Sequence, residues 1–104
     1  MISVSTEMEE TLKRISSRKG VKGVIIMNHA GQTIRTTMDT ELTKQYAMQY
    51  SALVVQSQTT VTTLDEENEL TFLRIRTKKH EVMIAPNEEY VLLVIQNPAE
   101  TLQS

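Results

Sequence analysis

The chain has 104 residues, 39% hydrophobic and 23% charged, with a net charge of −2 and no cysteine. These values exclude a disordered chain, a strongly basic nucleic-acid binder, a disulfide scaffold and a Cys-based zinc site. The length gives one domain over 1–104, with a core over about 6–98 and short tails. A domain this small buries a low share of its surface, and oligomerisation is a common remedy.

Localisation signals are equally sparse. No apolar run is long enough to span a bilayer, so no membrane insertion is expected. Met1 to Glu7 lacks the basic flank and apolar core of a secretory signal. Ile2 stands where myristoylation needs glycine, no C-terminal prenylation box is present, and no Asn begins an N-x-[ST] acceptor.

Thr6-Glu7-Met8-Glu9 reads as a capping box. Met8, Leu12 and Ile15 follow at helical spacing, and Arg18 and Lys19 favour the C-terminal end of the dipole. Gly20 is suited to the residue after the helix, which is expected over about Thr6 to Arg18. Val21 to Asn28 reads as a strand. Val24 to Met27 is apolar on both faces, which places that strand centrally. His29-Ala30-Gly31-Gln32 is a turn, and Thr33 to Met38 a more polar strand suited to an edge. Asp39 or Thr40 can cap the helix that follows.

That helix, running to Leu64, carries no charge from Gln45 onward. At about 100° per residue, Leu42, Tyr46, Ala47, Tyr50, Leu53, Val54, Val61 and Leu64 share one broad stripe. Met48, Ala52 and Val55 fall nearly opposite. Gln45, Gln49 and Gln56 fill one flank; Ser51, Gln58 and Thr62 fill the other. A monomer's surface helix needs one buried stripe and a charged outer face. Two apolar faces with uncharged flanks suit a helix covered by its own domain on one side and by other chains elsewhere. The pattern points to assembly rather than chemistry.

Asp65 to Asn68 is a polar connector. Strands are expected over Leu70 to Arg76, Glu81 to Ala85 and Tyr90 to Ile95, with turns at Thr77–His80 and Pro86–Glu89. The last strand is apolar on both faces and is expected beside the first. Asn97-Pro98 stops it, and Ala99 to Ser104 reads as a tail. The order α-β-β-α-β-β-β gives an α+β fold. Its five-stranded, mostly antiparallel sheet has the short helix on one face and the long helix on the other.

Four strings carry a family likeness. Glu9 to Arg14 opens the first helix, and Lys19 to Ile25 leads into the first strand. The run LTFLRIRTKKHEVMIAP from Leu70 to Pro86 is the longest, and Val94 to Pro98 closes the match. The chain resembles the roadblock-type light chains of cytoplasmic dynein over nearly its whole length. That resemblance implies a homodimer in which the third strands of two copies pair into one continuous sheet and the two long helices lie side by side. It implies a non-catalytic accessory subunit, without cofactor, that binds a segment of the dynein intermediate chain in the cytoplasm at microtubules. In one respect the chain departs from the family, whose members carry basic residues in the second half of the long helix. Val55 to Thr63 has none, which leaves the partner open.

Carried onto this sequence, the dimer interface is Gln45, Gln49, Ala52 and Gln56 of the helix with Leu70, Phe72, Leu73, Arg74, Ile75 and Arg76 of the strand. Met48, Val55 and Thr59 are the candidate partner contacts, flanking a groove for an apolar helix or strand. The bland alternative buries them at the dimer seam. For the strand, the alternative is a free edge kept apart by its two arginines.

Other motifs resolve to plain structure. The basic run Arg74, Arg76, Lys78, Lys79 and His80 lacks the stacking aromatics of a nucleic-acid surface. Gly20-Val21-Lys22-Gly23 matches a GXXG string but leads into a strand, not a second helix. Asp65 to Glu69 lacks the glycine of a calcium loop, with Leu70 in its place. His29 and His80 have no nucleophile or metal spacing around them. No metal site, cofactor site or catalytic constellation is expected. Two further functions compete with the light-chain reading: a small-GTPase regulatory scaffold, since related roadblock domains sit in such complexes, and a small-ligand sensor, which needs an internal pocket. Cargo adaptors are possible further partners.

Overall fold

The computed structural model describes residues 6–98. They form α1 (Thr6–Ser16), β1 (Val21–Met27), β2 (Thr33–Thr36), α2 (Thr40–Leu64), β3 (Leu73–Arg76), β4 (Glu81–Pro86) and β5 (Val91–Gln96). The strands make one antiparallel sheet in the order β2-β1-β5-β4-β3. The two strands apolar on both faces, β1 and β5, are neighbours near its centre, paired Val24 to Val94 and Ile25 to Leu93.

Alternation of side chains then gives the sheet two apolar faces. On one, Met8, Leu12 and Ile15 of α1 pack against Val24, Ile26 and Val94. On the other, Ala47 and Val54 of α2 pack against Ile25, Met27, Val82, Ile84 and Leu93. Each aliphatic side chain so buried contributes about 1.5–3 kcal/mol relative to exposure. The expected α+β order and the two-sided covering are observed.

Local chemistry fixes the joints. Asp39 caps α2, its carboxylate accepting from the Leu42 N–H at 3.4 Å. Gly20 and Gly31 adopt φ values of 88° and 87°. Around Gly31, the Asn28 side chain accepts from the N–H groups of Ala30 and Gln32, closing the β1–β2 turn. The β1–β5 register slips between Val21 and Gly23, where Met38 lies over Gly23.

Several boundaries differ from those the sequence suggests. Helix α1 stops at Ser16, not Arg18, because Gly20 turns the chain and its carbonyl accepts from Asn97 N at 2.7 Å. Thr6 is itself helical, so the residue before it, which would cap α1, lies outside the described residues; Glu9 reaches Arg35 on β2 at 3.0 Å. Strand β2 ends at Thr36 rather than Met38, because the Thr36 hydroxyl turns back to Met38 N and to Thr43. Strand β3 starts at Leu73, not Leu70. Its partner β4 ends at Pro86, whose missing N–H ends the ladder. Strand β5 runs Val91–Gln96, one residue later than expected. On α2, Leu42 and Leu64 are 40% and 84% exposed, whereas Thr43 is buried. The two leucines sit in the first and last turns, and Thr43 takes the inward position against Thr36.

Candidate functional site

Strand β3 is the last strand of the sheet, so one side of its backbone has no strand beside it among the described residues. Such an edge is a template for another strand. Leu73 and Ile75 turn toward the α2-side core, joined there by Leu70. Alternation sends Arg74 and Arg76 to the α1 side, where Arg74 stands opposite Met83 and Arg76 opposite Glu81.

Glu81 ties this edge down. Its side chain is 2% exposed. It accepts from Arg74 Nη2 at 2.9 Å, Arg76 Nε at 3.2 Å and Gln96 Nε2 at 2.8 Å. The Arg74 bond holds the carboxyl well below its ordinary 4.5, at about 2; burial opposes that shift, and Gln96 and Arg76 reinforce it. The guanidiniums themselves stay about half exposed.

The expected α2 residues also take definite positions. Gln45, Gln49, Ala52 and Gln56 lie exposed along the crest away from the sheet, beside Met48, Val55 and Thr59. Met48 and Val55 are 62% and 56% exposed, which is unusual for apolar residues spaced two turns apart on one helix. Tyr46 faces the β3–β4 turn, its hydroxyl 3.3 Å from His80 Nε2. The opposite flank meets the β1–β2 turn, with Ser51 against Gly31. The crest and the β3 edge are therefore separate surfaces on the α2 side and at the sheet's end.

A third surface was not anticipated from the sequence. Helix α1 is short and covers β1 and β5 but stops before β4 and β3. The part of that face left uncovered among the described residues is a groove of about 240 Å³ lined by Ile15, Val21, Phe72, Met83, Leu92 and Val94, with Arg18 at its rim. Phe72 is 50% exposed there. The sequence signal was the apolar residue at every second position of β4 and β5. Without knowing how far α1 reaches, those positions read as core.

A larger hollow of about 460 Å³ lies among His29, Gln58, Glu69, Leu70, Asn87 and Glu88. His29 Nε2 is engaged there with the Asn87 carbonyl at 2.7 Å. Among the described residues no group of three His, Cys, Asp or Glu side chains is arranged to hold a metal ion. The acidic connector is a helix end: the Asp65 N–H caps Val61, and its carboxylate accepts from Glu67 N. No helix is long and apolar enough to cross a membrane among the described residues.

The Roadblock/LC7 domain model matches residues 7–97. The chain belongs to this family. Among solved structures it is similar to a Roadblock/LC7 domain from Streptomyces avermitilis, with 9% identity, a TM-score of 0.77, and 91% of this chain and 79% of that one covered. It is also similar to MglB in a tetrameric arrangement, with 11% identity, a TM-score of 0.79, and 99% and 82% covered. A third is Myxococcus xanthus MglB, with 21% identity, a TM-score of 0.68, and 89% and 75% covered. At these identities the likeness establishes the fold, which is the roadblock fold.

Proposed function

We propose that this roadblock domain is a non-catalytic binding subunit that works as a homodimer and holds a segment of a larger partner chain. The observation that carries the reading is the pairing of two sticky features on one chain: the open β3 edge and the uncharged crest of α2. A second copy can satisfy both, extending the sheet across β3 and laying the α2 helices side by side through Gln45, Gln49, Ala52 and Gln56. The tetrameric arrangement of the similar MglB supports self-assembly of this fold.

The partner named by the sequence resemblance is the dynein intermediate chain, which makes the protein an accessory light chain of cytoplasmic dynein, supporting motor assembly and cargo linkage. Two seats are offered to such a segment: the Met48, Val55 and Thr59 patch, and the groove beside α1. The groove is concave and apolar with a cationic rim, the form that receives an amphipathic helix. We assign the segment to the groove, leaving the α2 patch to a second partner such as a cargo adaptor or GTPase.

The second reading is a small-GTPase regulatory scaffold. The structural relatives favour it over the dynein reading, since they are bacterial MglB and roadblock proteins rather than dynein subunits. Light-scattering mass of the purified chain separates the two, measured alone, with an intermediate-chain segment and with a small GTPase. A dimer that gains mass only with the segment supports the light-chain function. A dimer that gains mass only with the GTPase supports the scaffold, and a stable monomer overturns both.

A further inference from the structure

Self-pairing of β3 poses an electrostatic problem that Glu81 is placed to solve; the inference rests on the homodimer reading above. A two-fold axis perpendicular to the sheet keeps both α2 helices on one side. Residues directly opposite in an antiparallel ladder point to the same face. Each arginine-side residue of one β3 must therefore face an arginine-side residue of the other. Within Leu73–Arg76 those residues are Arg74 and Arg76 alone. When Ile75 pairs with Ile75 of the second copy across the axis, Arg74 faces Arg76 of that copy twice over. A slip by one pair of residues brings Arg74 against Arg74. Both registers oppose guanidinium to guanidinium, and like charges directly opposite destabilise strand pairing.

Glu81 lies next to β3 on β4, opposite Arg76, and takes a hydrogen bond from each guanidinium. Its remaining capacity is met by Gln96, so the carboxylate is held in place and pointed at the arginines. The carboxylate is buried while the guanidiniums stay about half exposed. We propose that Glu81 is the residue that makes the β3 edge compatible with a second copy of itself. Two cations and one anion per protomer leave one net positive charge where two would otherwise stand. Lys78 and Lys79 lie in the adjoining turn, exposed, and offer no compensation.

The test is the dimer dissociation constant of the full chain, read as concentration-dependent mass at low and high salt, with far-UV circular dichroism confirming the fold. Glu81→Gln keeps the shape and an acceptor but removes the charge. Its dimer is expected to dissociate about tenfold more readily at low salt. Added salt should narrow that gap, and Arg74→Gln with Arg76→Gln in the same chain should close it. Arg76→Gln alone balances one cation with one anion, and should pair more tightly than the native chain. This second variant decides the matter if Glu81→Gln does not fold. A Glu81→Gln dimer as tight as the native one overturns the proposal. So does a loss that neither salt nor arginine removal recovers, or an Arg76→Gln dimer no tighter than the native one. A native chain that is monomeric at every concentration instead overturns the homodimer reading itself.

Discussion

A Cβ placed on Gly31 would stand 2.7 Å from the Ser51 hydroxyl oxygen, so a side chain added at the β1–β2 turn would press on the Ser51 side chain of α2. Gly31 also holds a φ of 87°, outside the range that L residues readily adopt. Gly31→Ala should lower stability by about 1–3 kcal/mol. Ser51→Ala in the same chain removes the hydroxyl but not the backbone strain, and should recover only part. Urea denaturation of the native chain and the two variants checks this. Full recovery in the double variant would assign the whole effect to the contact.

Leu93 is fully buried on β5 beneath α2, whereas Leu64 is 84% exposed at the far end of the same helix. Leu93→Ala should cost about 2–5 kcal/mol. Leu64→Ala should stay within about 0.5 kcal/mol in the monomer. Thermal unfolding at low protein concentration separates the two.

The Glu81 carboxylate gives a pH dependence of definite sign. Its folded value, about 2, lies below the ordinary 4.5, so the folded state binds its proton less readily than the unfolded chain. Its contribution to stability is fully present above about pH 4.5 and is lost as the pH falls toward 2. A denaturation series from pH 7 to pH 2 should show native stability dropping in that window. Glu81→Gln should flatten that part of the curve.

Partner binding is expected to fail when the groove is charged. Met83→Glu or Leu92→Glu puts a carboxylate into the uncovered apolar face, and should weaken capture of an intermediate-chain segment by more than about tenfold. Glutamate at both Met48 and Val55 should leave that binding intact and preserve the dimer. Titration calorimetry on both sets decides the seat. Loss of binding only in the Met48 and Val55 variant moves the segment to α2.

Much of the fold was legible because its signals are local. Met8, Leu12 and Ile15 repeat at helical spacing, and the unbroken apolar runs of β1 and β5 marked two central strands that do pair. The exact ends were less legible because they depend on partners distant in sequence. Leu70 to Phe72 has strand composition, yet the β4 residue in line with Thr71 is Pro86, which has no N–H to give the ladder. Leu42 and Leu64 carry the right periodicity, but Thr43 takes the inward position in the first turn of α2, and its last turn holds no buried residue. In the sequence, Glu81 is a single acid following a basic hairpin. Only the β3–β4 and β4–β5 registers bring Arg74, Arg76 and Gln96 onto it. The groove was hidden for the same reason: its walls come from α1, β4, β5 and the residue before β3.

After Val54 no residue of α2 is fully buried, although the helix continues for ten more to Leu64 with no basic residue in its last turn. A helical stretch of that length has little stability on its own in water. Its order in the isolated chain thus hangs on the half supported by the sheet. In hydrogen exchange, amides before residue 54 should report the global unfolding of the domain, and those beyond it local fraying. If a second copy covers the crest, the slow-exchanging zone should lengthen toward Leu64 as protein concentration rises. The reach of protection along one helix then reads out the state of assembly, amide by amide.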